Sequence, residues 1–161
     1  IEHLRQCLAG FRRQNLSDCE ILVCDDGSTP AVDAERLAEV GVPFNLARQA
    51  PLGPAAARNH LAQIAAGEYL FFVDADTVVM SETLDRLRRF VSMHPALDVF
   101  YGSYDDEPAD PGLISSYKNL LHHYVHQQAA EEGFTFWAGC GIVRRQVFLE
   151  VGGFDERYGQ W

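Results

Sequence analysis

Four carboxylates stand out by where they fall. Asp25 and Asp26 follow the apolar run Glu20–Cys24 (EILVC), and Asp74 and Asp76 follow Tyr69–Val73 (YLFFV). Both runs are short, apolar and free of polar alternation, so each predicts a buried strand with acids at its carboxyl end. In open α/β sheets the ligand crevice lies outside those ends. A single strand-end Asp serves equally well as a cap for the helix that follows. Two acidic clusters on neighbouring strands ask for more, because converging carboxylates repel one another unless a cation or ligand hydrogen bonds compensate them. Mg²⁺ or Mn²⁺ carrying a diphosphate is the natural complement, since hard cations take carboxylate and phosphate oxygens together.

The rest of the sequence predicts the scaffold that holds these acids at one edge. Residues 1–14 predict an amphipathic helix with Leu4, Leu8 and Phe11 on one face. After the first strand, Gly27 signals a turn, Thr29 an N-cap and Pro30 the first position of a short helix to about Val40. Gly41 and Pro43 stop that helix, and Val42–Ala47 predicts a second strand. Pro54 opens a helix that runs to Ala66 with Gly67 as its stop, leading into the Tyr69–Val73 strand. Ser81 predicts the cap of a helix carrying Leu84, Leu87 and Val91, closed by Pro95, and Val99–Tyr101 predicts another strand. Gly102–Gly112 is an acidic, proline-containing loop. Leu113 to about Ala130 predicts a long helix with Leu113, Tyr117, Leu120, Leu121, Tyr124 and Val125 at helical spacing. A short strand pair after Gly133, a brief helix from Arg145 and Gly152-Gly153-Phe154 complete the pattern. Strand–helix alternation with short connections predicts a parallel sheet with helices on its faces.

Composition agrees with one ordinary domain. The 161 residues are 47% hydrophobic, 22% charged and 11% aromatic, enough for a real core and too apolar for wholesale disorder. No run approaches the ~20 apolar residues of a spanning helix, and Ile1–Arg5 shows no signal-peptide pattern, so a cytoplasmic setting is expected. A net charge of −10 argues against nucleic acid as a partner. The four cysteines, Cys7, Cys19, Cys24 and Cys140, show no CxxC pairing and predict reduced thiols. Lys118 is the only lysine, against twelve arginines.

Taken in order, these segments resemble the family 2 glycosyltransferases of GT-A fold. Cys24-Asp25-Asp26-Gly27-Ser28-Thr29 is similar to the family's V-D-D-G-S-T signature, and Gly53 through Ala57-Arg58-Asn59 to its G-x-x-x-A-R-N helix start. Gly67 through Asp74-Ala75-Asp76 is similar to the G-E-Y-L-x-F-x-D-A-D segment that carries the metal-binding DxD. Phe136-Trp137-Ala138-Gly139-Cys140-Gly141, with Gly152 to Glu156 beyond it, resembles the acceptor-side segment. The resemblance covers nearly the whole chain. It implies a Rossmann-like three-layer α/β/α domain with a mainly parallel sheet, its donor half at about residues 1–100 and its acceptor half at about 101–161. It implies a donor set of Asp25, Asp26, Arg58, Asp74, Ala75 and Asp76, in which Asp26 accepts a hydrogen bond from the nucleobase. Asp74 would then lie near the ribose and metal, and Asp76 would coordinate Mg²⁺ or Mn²⁺. On the acceptor side it implies Trp137, Gly139, Cys140 and Gly141. The implied activity is inverting transfer from a nucleotide-diphospho-sugar, UDP first among nucleotides, to a glycan or lipid-linked hydroxyl. Such acceptors belong to bacterial cell-surface polysaccharide or glycolipid synthesis. The apolar segment Phe134–Trp137 allows work at a membrane surface.

The sequence also departs from the family pattern. The family opens with a V-S-V-V-I-P-x-Y-N strand and places its catalytic Glu-Asp pair after the Gly-Gly-Phe-Asp-Glu segment. Here the first helix stands at the start and no such pair precedes Trp161, so the chain reads as truncated at both ends and is expected to be inactive alone. Asp155 and Glu156 do not match the base and are assigned structural roles. Three other readings compete. A nucleotide-sugar-binding module without transfer chemistry would use the same donor residues. A haloacid-dehalogenase-type phosphatase would use Asp74 as nucleophile and Asp76 as acid/base, but it needs a later lysine and acidic motif, and Lys118 sits inside a helix pattern. A zinc site on His122, His123 and His126 lacks HExxH and a third-ligand pattern, so rim histidines are expected instead.

Overall fold

In a computed structural model, residues 1–107, 112–128 and 136–158 are described. In chain order the elements are α1 (Glu2–Ala9), β1 (Leu22–Asp26), α2 (Ala34–Ala38), β2 (Asn45–Gln49), α3 (Pro54–Ile64), β3 (Tyr69–Val73), α4 (Thr83–Met93), β4 (Val99–Tyr101), α5 (Leu113–Gln127), β5 (Cys140–Arg144), α6 (Arg145–Glu150) and a 3₁₀ turn at Glu156–Tyr158. β1 pairs in parallel with β2, setting Leu22 opposite Asn45 and Asp26 opposite Gln49. A second ladder has the order β3-β5-β4, with β5 antiparallel to both neighbours. β3 and β4 therefore run the same way, and β5 is the reversed strand of the second sheet. Its reversal has a use. Cys140 at the start of β5 lies opposite Val73 at the end of β3, so the chain enters β5 beside the Asp74 turn.

Both faces of β1 and β3 are covered. Phe71, Val73 and Val23 pack on a cluster built from Cys7, Leu8 and Phe11, Leu37 of α2, and Leu84 of α4. Leu70, Phe72 and Leu22 pack on the opposite cluster, with Ala62 of α3 and Phe148 of α6. Helices thus sandwich the strands in three layers, as the apolar runs predict. The Phe72 ring anchors the second cluster, with Phe148 and Phe154 ring centroids at 5.2 and 5.4 Å.

Several local expectations are corrected. The first helix ends at Ala9 rather than residue 14, and the chain continues as turns through residue 13; Gly10, a poor helix former, lies against the Val79 carbonyl. Thr29 and Pro30 do not start a helix: their peptide bond is cis, and α2 begins at Ala34 behind Asp33, whose carboxylate accepts from the Arg36 N–H at 3.1 Å. The second strand lies three residues later than Val42 to pair with β1 at Asn45–Gln49. Gly67 is not a left-handed stop; α3 ends at Ile64 with Ala65 extended, and Glu20 accepts from the Ala66 N–H at 2.6 Å and the Gly67 N–H at 3.2 Å. Ser81 is not the cap of α4, which Gln14 supplies from across the fold by accepting from the Leu84 N–H at 2.9 Å. Of the strand pair expected after Gly133, β5 is described, and residues 129–135 lie outside the described part, as do 108–111 of the acidic loop.

The largest surprise is α5. The stripe Leu113, Ile114, Tyr117, Leu120, Leu121, Tyr124 and Val125 is exposed along its whole length, from 43% at Leu121 to 87% at Leu113. The half-buried positions are Ser115, Ser116, Asn119, His122, His123 and His126. The helix is amphipathic, and its polar side faces the protein. No helix among the described residues is long and apolar enough to cross a membrane.

Candidate functional site

The acids at the end of β1 divide their tasks. Asp25 is buried, and its Oδ1 accepts from the Ser28 N–H at 2.8 Å while Oδ2 accepts from the Val32 N–H at 3.0 Å. Arg48 stands 3.6 Å from Oδ2. Burial alone would raise this carboxyl, but the hydrogen bonds from Ser28 and Val32 and the nearby guanidinium hold it below the usual carboxylate range. Both oxygens are committed to closing the 25–32 loop. Asp26 reaches the other way. Its Oδ1 accepts from Gln49 Nε2 at 2.8 Å and the Leu52 N–H at 2.9 Å, and its Oδ2 from the Gly53 N–H at 2.8 Å. Here too hydrogen bonds from Leu52, Gln49 and Gly53 outweigh burial and lower the carboxyl. Gly53 has φ 97°, a conformation that favours glycine, and leads directly into Pro54 at the start of α3. Asp26 therefore fixes the entry to the helix that carries Arg58.

Arg58 meets the second cluster. Its guanidinium donates to Asp74 Oδ1 at 2.7 Å and lies 5.6 Å from the Phe154 ring centroid. Asp74 is half-buried, whereas Ala75 and Asp76 are exposed. The Asp74 carbonyl accepts from the Thr77 N–H at 2.9 Å, which shapes the turn, and the Asp74 N–H reaches the Gly139 carbonyl at 3.4 Å. Gly139 is crowded: a Cβ there would strike Trp137 Nε1 and approach Asp74 Oδ2 to 3.0 Å. A Cβ at Gly141 would strike the Phe136 ring and the Trp137 carbonyl, and one at Gly102 would come within 2.6 Å of Cys140 Sγ. The small residues of the Gly139-Cys140-Gly141 segment thus let Trp137 close onto the Asp74 turn. Cys140 is packed against Gly102, and burial pushes its thiol up.

Several neighbours escape sequence reasoning. Cys7 lies beneath the turn with Sγ 3.7 Å from the Asp74 carbonyl; burial, then the Asp76 and Asp74 charges, push its thiol up to about 11. Only the fold brings it there. Gln49 is placed by the β1–β2 register. Tyr104 joins His122, His126 and Trp137 in a ring cluster in which His126 stands edge-on to Trp137 at 4.4 Å, His122 at 5.0 Å and Tyr104 at 5.7 Å. Burial pushes the Tyr104 hydroxyl up, with the Thr77 side chain opposing and the Asp74 and Asp76 charges adding. The i, i+4 spacing of His122 and His126 was the available signal. Buried His126 Nδ1 has no hydrogen-bond partner, and burial, then His122 and His123, push the imidazole down. Asn59 fastens the Gly152–Glu156 segment to α3: its Nδ2 donates to the Phe154 carbonyl at 2.9 Å and Glu156 Oε1 at 2.8 Å, and its Oδ1 accepts from the Phe154 N–H at 2.8 Å. Asp155 pairs with Arg157 at 2.6 Å.

The arrangement sets acids at two strand ends, an arginine between them, and an aromatic wall brought in by a reversed strand. The profile of glycosyl transferase family 2 matches residues 1–152, and the chain belongs to that family. The uncharacterized glycosyltransferase EpsJ of Bacillus subtilis (strain 168) is 35% identical over 155 residues, covering 90% of this chain and 45% of EpsJ. Glycosyltransferase GlyG of Streptococcus pneumoniae serotype 4 is 28% identical over 152 residues, covering 92% and 50%. The chain spans about half the length of the curated relatives it matches. Among solved structures, S. aureus TarS 1–349 in complex with UDP superposes with a TM-score of 0.70 at 20% identity, covering 97% of this chain and 47% of TarS 1–349. Mannosyltransferase PcManGT of Pyrobaculum calidifontis, in complex with GDP-Man and Mn²⁺, gives 0.67 at 21% identity, covering 96% and 44%. Family membership removes the phosphatase reading, and Lys118 lies on the exposed side of α5.

Proposed function

We propose that this chain is the donor-binding part of an inverting glycosyltransferase that takes a UDP-sugar and delivers the sugar to a glycan or lipid-linked hydroxyl in the cytoplasm. The observation that carries the reading is the meeting of Asp74, Arg58 and the Asp26-anchored loop at one strand edge of a family 2 chain. Asp26 keeps a lone-pair direction beyond its three donors, enough to accept from a uracil imide. Arg58, bonded to Asp74 at the turn, would meet the donor's phosphate oxygens in this reading.

The donor set suits a hard divalent cation. Asp76 is exposed and acceptor-only, and among the described residues no group of three or more His, Cys, Asp or Glu side chains forms a complete cage. In this reading Asp76, with the Asp74 oxygen that Arg58 leaves open, would hold the ion, and phosphate and water oxygens would supply its remaining ligands. Such an ion supplies charge stabilisation to a departing diphosphate. Asp155 and Glu156 are engaged by Arg157 and Asn59 and are not assigned as base.

Calorimetry of UDP with and without Mn²⁺ tests the reading. Wild type should bind UDP about tenfold more tightly with the metal, a gain of roughly 1.4 kcal/mol. Asp76→Ala should lose that metal dependence. UDP binding that Asp76→Ala leaves unchanged removes Asp76 from the site.

A further inference from the structure

The outward face of α5 has no counterpart in the donor chemistry. On a helix turning 100° per residue, its seven exposed apolar side chains occupy an arc of about 140°, and every polar side chain lies on the remainder. The inward side is held by polar contacts. Asn119 Nδ2 donates to the Asp105 carbonyl at 2.8 Å, His123 Nδ1 meets the Tyr104 carbonyl at 2.6 Å, and Gln127 Nε2 donates to Ser103 Oγ at 3.4 Å. Those contacts fix the rotation of the helix, so the apolar arc is turned outward by bonds that water does not replace at no cost. A contiguous apolar strip of this kind marks a surface that is covered in use.

We propose that α5 lies flat on a lipid bilayer carrying anionic headgroups. Charge chooses this occupant. The chain carries −10 overall, yet Leu113–Gln127 contains no Asp or Glu and holds the only lysine. Lys118 is exposed at the border of the apolar arc, where a long stem follows apolar surface and its ammonium reaches headgroup phosphates. Tyr117 and Tyr124, one heptad apart in the arc, present the amphipathic rings that settle at a membrane interface. A second copy would answer the apolar strip but would offer Lys118 no carboxylate from the same helix. The inner side of the same helix carries His122 and His126 onto Trp137, which adjoins the Asp74 turn. Docked in this way, the acceptor side would stand at the bilayer surface, which favours a lipid-linked acceptor; that consequence rests on the transfer reading above.

Flotation with vesicles tests the docking with no donor, metal or acceptor present, so loss of UDP binding and loss of docking are separate results. The purified chain should float with phosphatidylcholine vesicles containing about one-third phosphatidylglycerol, at least about fivefold more than with phosphatidylcholine alone. Lys118→Glu should remove most of that difference. Tyr117→Ser with Leu121→Ser, both at exposed positions, should abolish flotation on either vesicle with an unchanged circular dichroism spectrum. A wild-type chain that stays at the bottom of every gradient overturns the proposal. So does a dimer in sedimentation that the serine pair dissolves, without flotation, because the face then belongs to a second copy. If the serine pair fails to fold, Lys118→Glu alone decides, and a variant that keeps the wild-type preference for the phosphatidylglycerol vesicles overturns it.

Discussion

Asp25 and Asp26 are adjacent in sequence and opposite in use, because successive strand residues point to opposite sides of the backbone. Asp25 turns inward and ties Ser28 and Val32; Asp26 turns toward β2 and the entry of α3. The sequence shows two acids at a strand end and cannot show which one is spent on the loop, since that depends on the path of residues 27–32. Asn59 makes the same point. It reads as one letter of an A-R-N motif, and in the structure it is the buried clamp between α3 and the Gly152–Glu156 segment. Asn59→Ala would leave the Phe154 N–H and carbonyl and the Glu156 carboxylate without their partner in a site that is 9% exposed at the asparagine. Three hydrogen bonds, one to a carboxylate, predict a loss of about 2–4 kcal/mol. Urea unfolding of the variant measures it; a loss below about 1 kcal/mol means that water replaces the amide and the clamp is dispensable.

At the level of elements, the strands were the most legible part. Tyr69–Val73 is found where its five apolar residues place it, because a strand covered on both faces leaves a local signature in composition alone. Helix ends were the least legible, since their orphan N–H groups are satisfied by residues far away in sequence. Gln14 does this work for the start of α4, and Glu20 accepts from the Ala66 and Gly67 N–H groups just beyond the end of α3; no spacing rule anticipates either. Gln14 also donates from Nε2 to the Gly10 carbonyl at 3.1 Å, so one side chain joins the end of the first helical segment to the start of α4. Gln14→Ala should therefore destabilise the protein by about 1 kcal/mol, the usual worth of an N-cap. Gln14→Glu keeps the acceptor and adds a negative charge at a helix N-terminus, and it should recover that loss. Urea midpoints of the two variants against wild type check the pair, and equal loss in both would show that the contact to Gly10 matters more than the cap. The periodicity of α5 was legible as well, but not its rotation. An apolar stripe is read as a buried stripe by default, and here the inward bonds of Asn119, His123 and Gln127 set the opposite orientation.

For the whole molecule, the buried and paired titratable groups set the pH range in which the fold holds. Asp25 and Asp26 have carboxyls lowered in the folded state, and Arg88 holds Asp18 down at about 2 by hydrogen bonding. A lowered carboxyl stabilises the fold fully above its unfolded value of about 4, and that stability is lost as pH falls through the folded value. His126 is lowered as well, by burial first, so the unfolded chain takes up a proton that the folded chain resists. Its contribution is present above the unfolded value of about 6.5 and declines as pH falls below it. Cys7 works from the other side. Its thiol is raised to about 11, so stability is present below the ordinary thiol value of about 8.5 and declines as pH rises toward 11. The three together predict a stability maximum between about pH 7 and 8.5, a gentle decline below about 6.5 and a steeper one below about 4. Urea midpoints collected from pH 3 to 10 measure the profile. His126→Gln should flatten the first decline, Asp25→Asn the acid limb and Cys7→Ala the alkaline limb, each leaving the other two in place. A profile of Cys7→Ala that still falls above about pH 8.5 as steeply as wild type would separate the thiol beneath the Asp74 turn from the alkaline loss.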